Sequence, residues 1–211
     1  MKHVNKKRGE QAMVRKIYLI NFSPCGGTEK IVHAIGKDLP LPKETYNITL
    51  PRSRSSQLRF SGDDLVILGF PVYGGRMPRF FSTFIGHLSG SDTPLVMAVV
   101  YGNRAYEGAF LDMHEGIKAK GFRPIAAIAA VAEHSANPSI AAERPDANDR
   151  AKLAEFGRLI LEKVQTGAPE LDAPGTYPEW KLPTGISFLA EADPDVCTQC
   201  GICVDVCPRA C

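Results

Sequence analysis

Three stretches constrain this chain more than anything else in it: residues 15–22 (RKIYLINF), 64–70 (DLVILGF) and 94–101 (PLVMAVVY) are continuous apolar, β-branched and aromatic runs. Runs of this kind belong to strands buried on both faces, which is the setting of a parallel sheet covered by helices. Each is followed by a glycine-bearing loop and then by apolar residues at helical spacing. After the first run, "SPCGGT" leads into a helix at 29–39, where Ile31, Val32, Ile35 and Leu39 line one face. After the second, "PVYGGRMP" leads into a helix at 79–88. The third run leads into a helix within 102–121, which Gly121 is expected to end. Residues 44–50 and 123–134 supply two further strands, and 146–164 a last helix capped by Asp146 or Asp149. Such alternation predicts an α/β fold with a parallel five-stranded sheet and helices on both faces. Residues 51–63 are expected to be polar loop with at most a weak helix.

Beyond this body, residues 1–12 form a basic leader (Lys2, Lys6, Lys7 and Arg8 against Glu10), and Met13 could be the start. The formal net charge is +2, so without the leader the body is slightly acidic, which argues against a nucleic-acid partner. No apolar run reaches the roughly 18 residues of a membrane span. Residues 167–190, dense in proline and glycine, read as a linker. Five of the six cysteines crowd into residues 197–211, too tightly for disulfides between elements, so metal binding in a reducing, cytoplasmic setting is expected.

In an open parallel sheet, ligands bind beyond the carboxyl ends of the strands. That edge should gather "SPCGGT", "PVYGGRMP" and "YGNRAYEG". The first can cradle a phosphate: Gly26 and Gly27 admit close approach, Ser23 and Thr28 add hydroxyls, and the following helix favours an anion. It has neither the Gly-Lys-Ser/Thr of a P-loop nor G-x-G-x-x-G. Tyr73, Tyr101 and Tyr106, with glycines and Asn103 nearby, would suit a flat aromatic ring. A flavin with a phosphate tail satisfies all three loops.

"FSPCGGTEKIV" resembles the phosphate loop of flavodoxin-like proteins, and "GFPVYGGRMP", "VVYGNRAYEGA" and "EHSANPSIAAERPDANDRAKLAEFG" look like later segments of the EFR1-type family, in which a flavodoxin domain precedes a bacterial-type ferredoxin domain. The resemblance implies a flavodoxin-like sandwich over residues 13–166 with strand order 2-1-3-4-5, and FMN as ligand. It implies that Ser23, Cys25, Gly26, Gly27 and Thr28 hold the phosphate, and that Pro71, Val72, Tyr73, Gly74, Gly75 and Arg76 with Tyr101, Gly102, Asn103, Arg104 and Tyr106 hold the ring. Cys25 stands where that loop usually has threonine.

The final run, "CTQCGICVDVCPRAC", has the C-x2-C-x2-C-x3-C-P spacing of a 4Fe-4S site, whose fourth cysteine ligates the other cluster in two-cluster ferredoxins. Cys197, Cys200 and Cys203 would hold one cluster and Cys207 reach toward a second; Cys211 is not expected to be a ligand. Residues 191–211 thus read as the first half of a ferredoxin domain, and the chain as truncated at its C-terminus. The expected function is electron transfer between a 4Fe-4S cluster and FMN, with a redox protein or small molecule as partner. The alternatives are an FMN-dependent reductase of a quinone or other two-electron acceptor, with His134 as proton donor, and a non-redox module binding a partner through the leader, Tyr177 and Trp180.

Overall fold

The computed structural model describes residues 13–167, 169–177, 179 and 192–208; the expected leader, most of the second half of the linker, and Cys211 lie outside them. The elements run β1 (Lys16–Asn21), α1 (Gly27–Gly36), β2 (Lys43–Asn47), β3 (Leu58–Arg59), β4 (Asp64–Pro71), α2 (Arg79–Gly86), β5 (Leu88–Ser89), β6 (Thr93–Tyr101), α3 (Ala109–Lys118), β7 (Phe122–Val131), α4 (Ala147–Gln165) and α5 (Ile202–Asp205). The main sheet is parallel, in the order β2-β1-β4-β6-β7. Counted within that sheet this is 2-1-3-4-5, the flavodoxin-like order, as expected.

Alternation along the strands builds two cores. Ile17 and Leu19 of β1, with Leu65, Ile67 and Val96, meet α1 and α4 through Ile31, Ile35 and Ile160. Ile20, Val66, Leu68, Met97 and Val99 point the other way, onto Phe81, Phe84, Phe110 and Met113 of α2 and α3. Each such side chain, fully buried, contributes on the order of 1.5–3 kcal/mol. Where α4 crosses α1, a Cβ on Gly157 would lie 1.9 Å from the Ile35 carbonyl oxygen, so only glycine lets the two backbones come this close.

Three differences from expectation have local causes. The segment expected as loop contains a 3-10 turn (Pro51–Ser53) and β3, which pairs in parallel with β5 through Leu58 and Leu88. Two-residue strands leave no periodicity to read. The fully buried Thr93 holds this strip in place by donating toward the Phe60 and Ser61 carbonyls at 3.1 and 2.8 Å. In β7, Leu95 faces Pro124 and Val96 faces Ala126, so Ile125 is unmatched; Pro124 has no N–H for the ladder and is tolerated on this edge strand. Finally, the first part of the expected linker lies along α3 as a strap. The Leu171 N–H bonds to the Pro124 carbonyl at 2.8 Å, His114 meets the Leu171 carbonyl at 3.2 Å, and Lys118 pairs with Glu170 at 2.6 Å. Leu171 and Ala173 pack on the α2/α3 core.

Candidate functional site

Four loops meet at the carboxyl edge of the sheet around a cavity of about 840 Å³, within the roughly 300–1,000 Å³ usual for small-molecule sites. The first joins β1 to α1. Gly26 caps the helix at φ 80°, the left-handed region that glycine occupies without strain. The Ser23 hydroxyl oxygen accepts the Glu29 N–H at 2.9 Å, and the Ser23 N–H donates to the Thr49 hydroxyl at 2.9 Å. Both anchors tie the loop from outside. The N–H groups of Cys25, Gly27 and Thr28 find no partner among the described residues, and two of them stand at a helix start, where unpaired donors and the helix dipole favour an anion.

The second loop follows β4. Tyr73 and Arg76 exchange backbone hydrogen bonds of 3.0 and 3.2 Å across Gly74 and Gly75, whose φ values of 58° and 74° make this a tight type I′ turn. The turn projects Tyr73 as a cavity wall, 47% exposed, with its ring edge-on to Phe22 at 6.5 Å. Burial, then the neighbouring Cys25, holds its phenol above the usual range, so it stays protonated. The third loop brings Tyr101 and Gly102 to the cavity. The fourth, from Ala132 to Arg144, closes the far side. In it the Glu133 carboxylate accepts the Glu143 N–H at 2.8 Å, and Arg144 is clamped on Asp149.

Of the residues expected to bind a ligand, Ser23, Cys25, Gly27, Thr28, Pro71, Val72, Tyr73, Gly74, Tyr101 and Gly102 line this cavity. Gly26, Gly75, Arg76, Asn103, Arg104 and Tyr106 do not. Arg76 turns instead to α3, where it forms two bonds to the Asp112 carboxylate at 2.8 and 2.6 Å and lies over the Tyr177 ring at 4.6 Å. Asp112 raises its affinity for the proton further. Arg104 pairs with Glu107 at 3.0 Å, and Tyr106 packs edge-on to Phe110. His134 lines the cavity but its Nδ1 accepts the Ala136 and Asn137 N–H groups, both at 3.2 Å, a role that orders the loop. Tyr177 lies against Gly108 as part of the strap; Trp180 is outside the described residues.

Lys30 and Arg144 are cavity cations that the sequence reading missed. Lys30 sits inside the helix, not in the glycine loop. Arg144 is far along the chain, and only the fold brings it near. One further group at this edge went unnoticed: Asn21, the last residue of β1, is 0% exposed, and neither of its amide atoms has a hydrogen-bond partner.

In the cysteine segment, Cys197, Cys200 and Cys203 are exposed and Cys207 is half-buried. Among the described residues no His, Cys, Asp and Glu side chains gather into a group that could hold a metal ion, so the expected ligands do not converge as placed. Among its described residues the segment has one short helix, α5, and Val196, Ile202, Val204 and Val206 are exposed, so no apolar core among them draws the sulfurs together. The Ile202 N–H and then the Thr198 hydroxyl, both bonding to sulfur, lower the Cys200 pKa. No helix among the described residues is long and apolar enough to cross a membrane.

No family model matches the sequence, and no curated protein matches it. Among solved structures, the chain is similar to a flavodoxin from the domain Archaea, at 15% identity over 71% of this chain and 99% of that one with a TM-score of 0.47. It is similar to a flavodoxin of Streptococcus pneumonia TIGR4, at 16% identity over 70% and 99% with a TM-score of 0.48. It is also similar to the rubredoxin oxygen:oxidoreductase of the anaerobe Desulfovibrio gigas, at 13% identity over 75% and 38% with a TM-score of 0.47. Likeness at that level carries no functional argument; the flavodoxin-like fold stands on the strand order and the two helical layers of this chain.

Proposed function

We propose that the chain is an electron-transfer flavoprotein that binds FMN in the cavity at the carboxyl edge of the sheet. The observation that carries this reading is the pairing, in one cavity, of an anion-ready loop with an aromatic wall: the N–H groups of Cys25, Gly27 and Thr28, unpaired among the described residues, together with Tyr73 and Tyr101. The donor set suits a phosphate monoester, since the loop's own donors are neutral and Lys30 adds one nearby charge. Bound there, a flavin would supply one- and two-electron transfer, which the protein orients and tunes. The Ser23 and Thr28 hydroxyls would complete the phosphate shell, while the Gly74–Gly75 turn keeps side chains off the ring's edge.

The cysteine segment would hold a 4Fe-4S cluster through Cys197, Cys200 and Cys203, with Cys207 directed to another. Support for this comes from the spacing; such sites commonly assemble only as the metal binds, because ligand gathering and folding are coupled. Iron and acid-labile sulfide in the anaerobically purified protein would bear it out, and their absence would remove the cluster. A redox protein or small molecule would complete the electron path. In the alternative of a quinone reductase, His134 would be the proton donor: two backbone amides engage its Nδ1, which leaves Nε2 as the nitrogen that would carry the proton.

Titration with FMN and, separately, riboflavin tests the central reading. Quenched flavin fluorescence with FMN binding at least tenfold tighter than riboflavin is expected, because only FMN carries the phosphate. Equal affinities would displace the loop from its role, and no quenching with either would end the flavin assignment.

A further inference from the structure

Between β2 and β3, Arg54 leaves the loop and lays its guanidinium over two aromatic rings, 4.2 Å from the Phe80 centroid and 5.3 Å from that of Phe22. Its Nε donates to the Ile48 carbonyl at 2.8 Å and its Nη2 to the Thr49 carbonyl. The same Nη2 reaches across 154 positions of sequence to the Pro208 carbonyl at 2.7 Å. A planar guanidinium lies flat on a ring while its forked donors hold separate carbonyls, whereas an ammonium has no plane to stack.

From these contacts we infer that Arg54, seated on Phe80 and Phe22, is the docking point on the flavodoxin-like domain for the Cys207–Pro208 end of the chain's own cysteine segment. Three features of the segment agree. Cys207 is half-buried while the three other described cysteines of the run are exposed. Residue 207 precedes proline and is therefore biased toward extended backbone, in keeping with α5 ending at Asp205. The α5 turn feeds directly into this point through the Cys207 N–H bond to Val204 at 3.2 Å.

The seat also touches a residue of the cavity wall. Phe22, under Arg54, meets Tyr73 edge-on, and Tyr73 is a cavity wall. The cysteine segment is thus joined to the Tyr73 side of the cavity by one guanidinium and two rings. As the side from which a redox group on the segment would approach FMN, the seat rests on the flavin reading; as a docking contact it does not.

Hydrogen exchange on the full chain, followed by mass spectrometry, tests the contact. Arg54→Ala should accelerate exchange of amides 202–207 roughly tenfold, a change equivalent to about 1.4 kcal/mol, with residues 13–47 unaffected. Phe80→Leu, which keeps an apolar side chain but removes the stacking ring, should shift the same peptide in the same direction by less. Arg54→Lys, which keeps a charge and donors but has no planar fork to stack on the rings, should fall between wild type and Arg54→Ala. Unchanged exchange at 202–207 in Arg54→Ala overturns the seat, as does acceleration spread equally over the whole domain. FMN titration of the unsubstituted chain judges the flavin reading separately: a failure there leaves the exchange result standing.

Discussion

Asn21 is the residue whose environment is hardest to reconcile with stability alone. A buried amide without partners costs about 1–3 kcal/mol, which hydrophobic residues of the same shape avoid. It ends β1, paired by its backbone with Asn47 of β2 and Gly69 of β4, and points to the same face as Leu19 and Ile17. Asn21→Leu, close in shape, should therefore raise the unfolding free energy of the ligand-free chain by about 1–2 kcal/mol in urea denaturation; a loss of stability would show that the amide is satisfied. Other residue roles were only half legible. Gly26, Gly74 and Gly75 could be read as turn glycines because sequence neighbours set the demand for positive φ. Arg76 could not be separated from the cavity in the same way. Its partner Asp112 lies 36 positions away, so what the guanidinium faces is decided by how α3 packs.

The start of α4 shows how an element can be tied to a site through its cap. Asp146 accepts the Asp149 N–H at 2.8 Å, and Asp149 accepts the Asp146 N–H at 3.0 Å, a capping box. The Asp149 carboxylate also holds Arg144, which lines the cavity. Arg144, ahead of the remaining burial cost, keeps the Asp149 pKa below its ordinary value of 3.8. A carboxylate depressed on folding contributes stability above its unfolded pKa and loses it as pH falls through the folded one. Asp149→Asn should thus be less stable than wild type by about 1 kcal/mol near neutral pH, with the gap narrowing as pH falls below about 4 in the ordinary carboxylate range. A gap of constant size across pH 2–7, measured by denaturant midpoints, would exclude this linkage. The helix itself was visible in advance from its periodicity, and so was the choice between Asp146 and Asp149 as cap. The geometry selects Asp146, while Asp149 serves as the reciprocal partner. By contrast β3 and β5 were invisible, since pairing of two residues with two depends on distant backbone and not on side-chain pattern.

At the scale of the whole molecule, the described residues 169–177 form a strap over α3. It runs from Glu170 beside Lys118, past Leu171 at His114, to Tyr177 against Gly108 and under Arg76. It therefore climbs α3 from the helix's carboxyl end toward the cavity edge. Tyr177→Ala should remove the ring under the Arg76 guanidinium and about 1 kcal/mol of stability, and amide exchange over 169–177 should accelerate; unchanged exchange would mean that the ring is not what holds the strap. The sequence by itself determined the α/β class, the strand order through its resemblance, the glycine loop between the first strand and helix and the spacing of the cysteines. Those features depend on local conformation: continuous apolar runs, helical period, glycine at turns and short gaps between thiols. Only the tertiary structure decided which loop residues share the cavity, that Lys30 and Arg144 reach it, and that part of a proline-rich linker is packed against α3. It also decided that Arg54 meets Pro208. Each of these joins residues far apart in the chain, and such contacts are set by how layers pack and loops close, which no local pattern encodes.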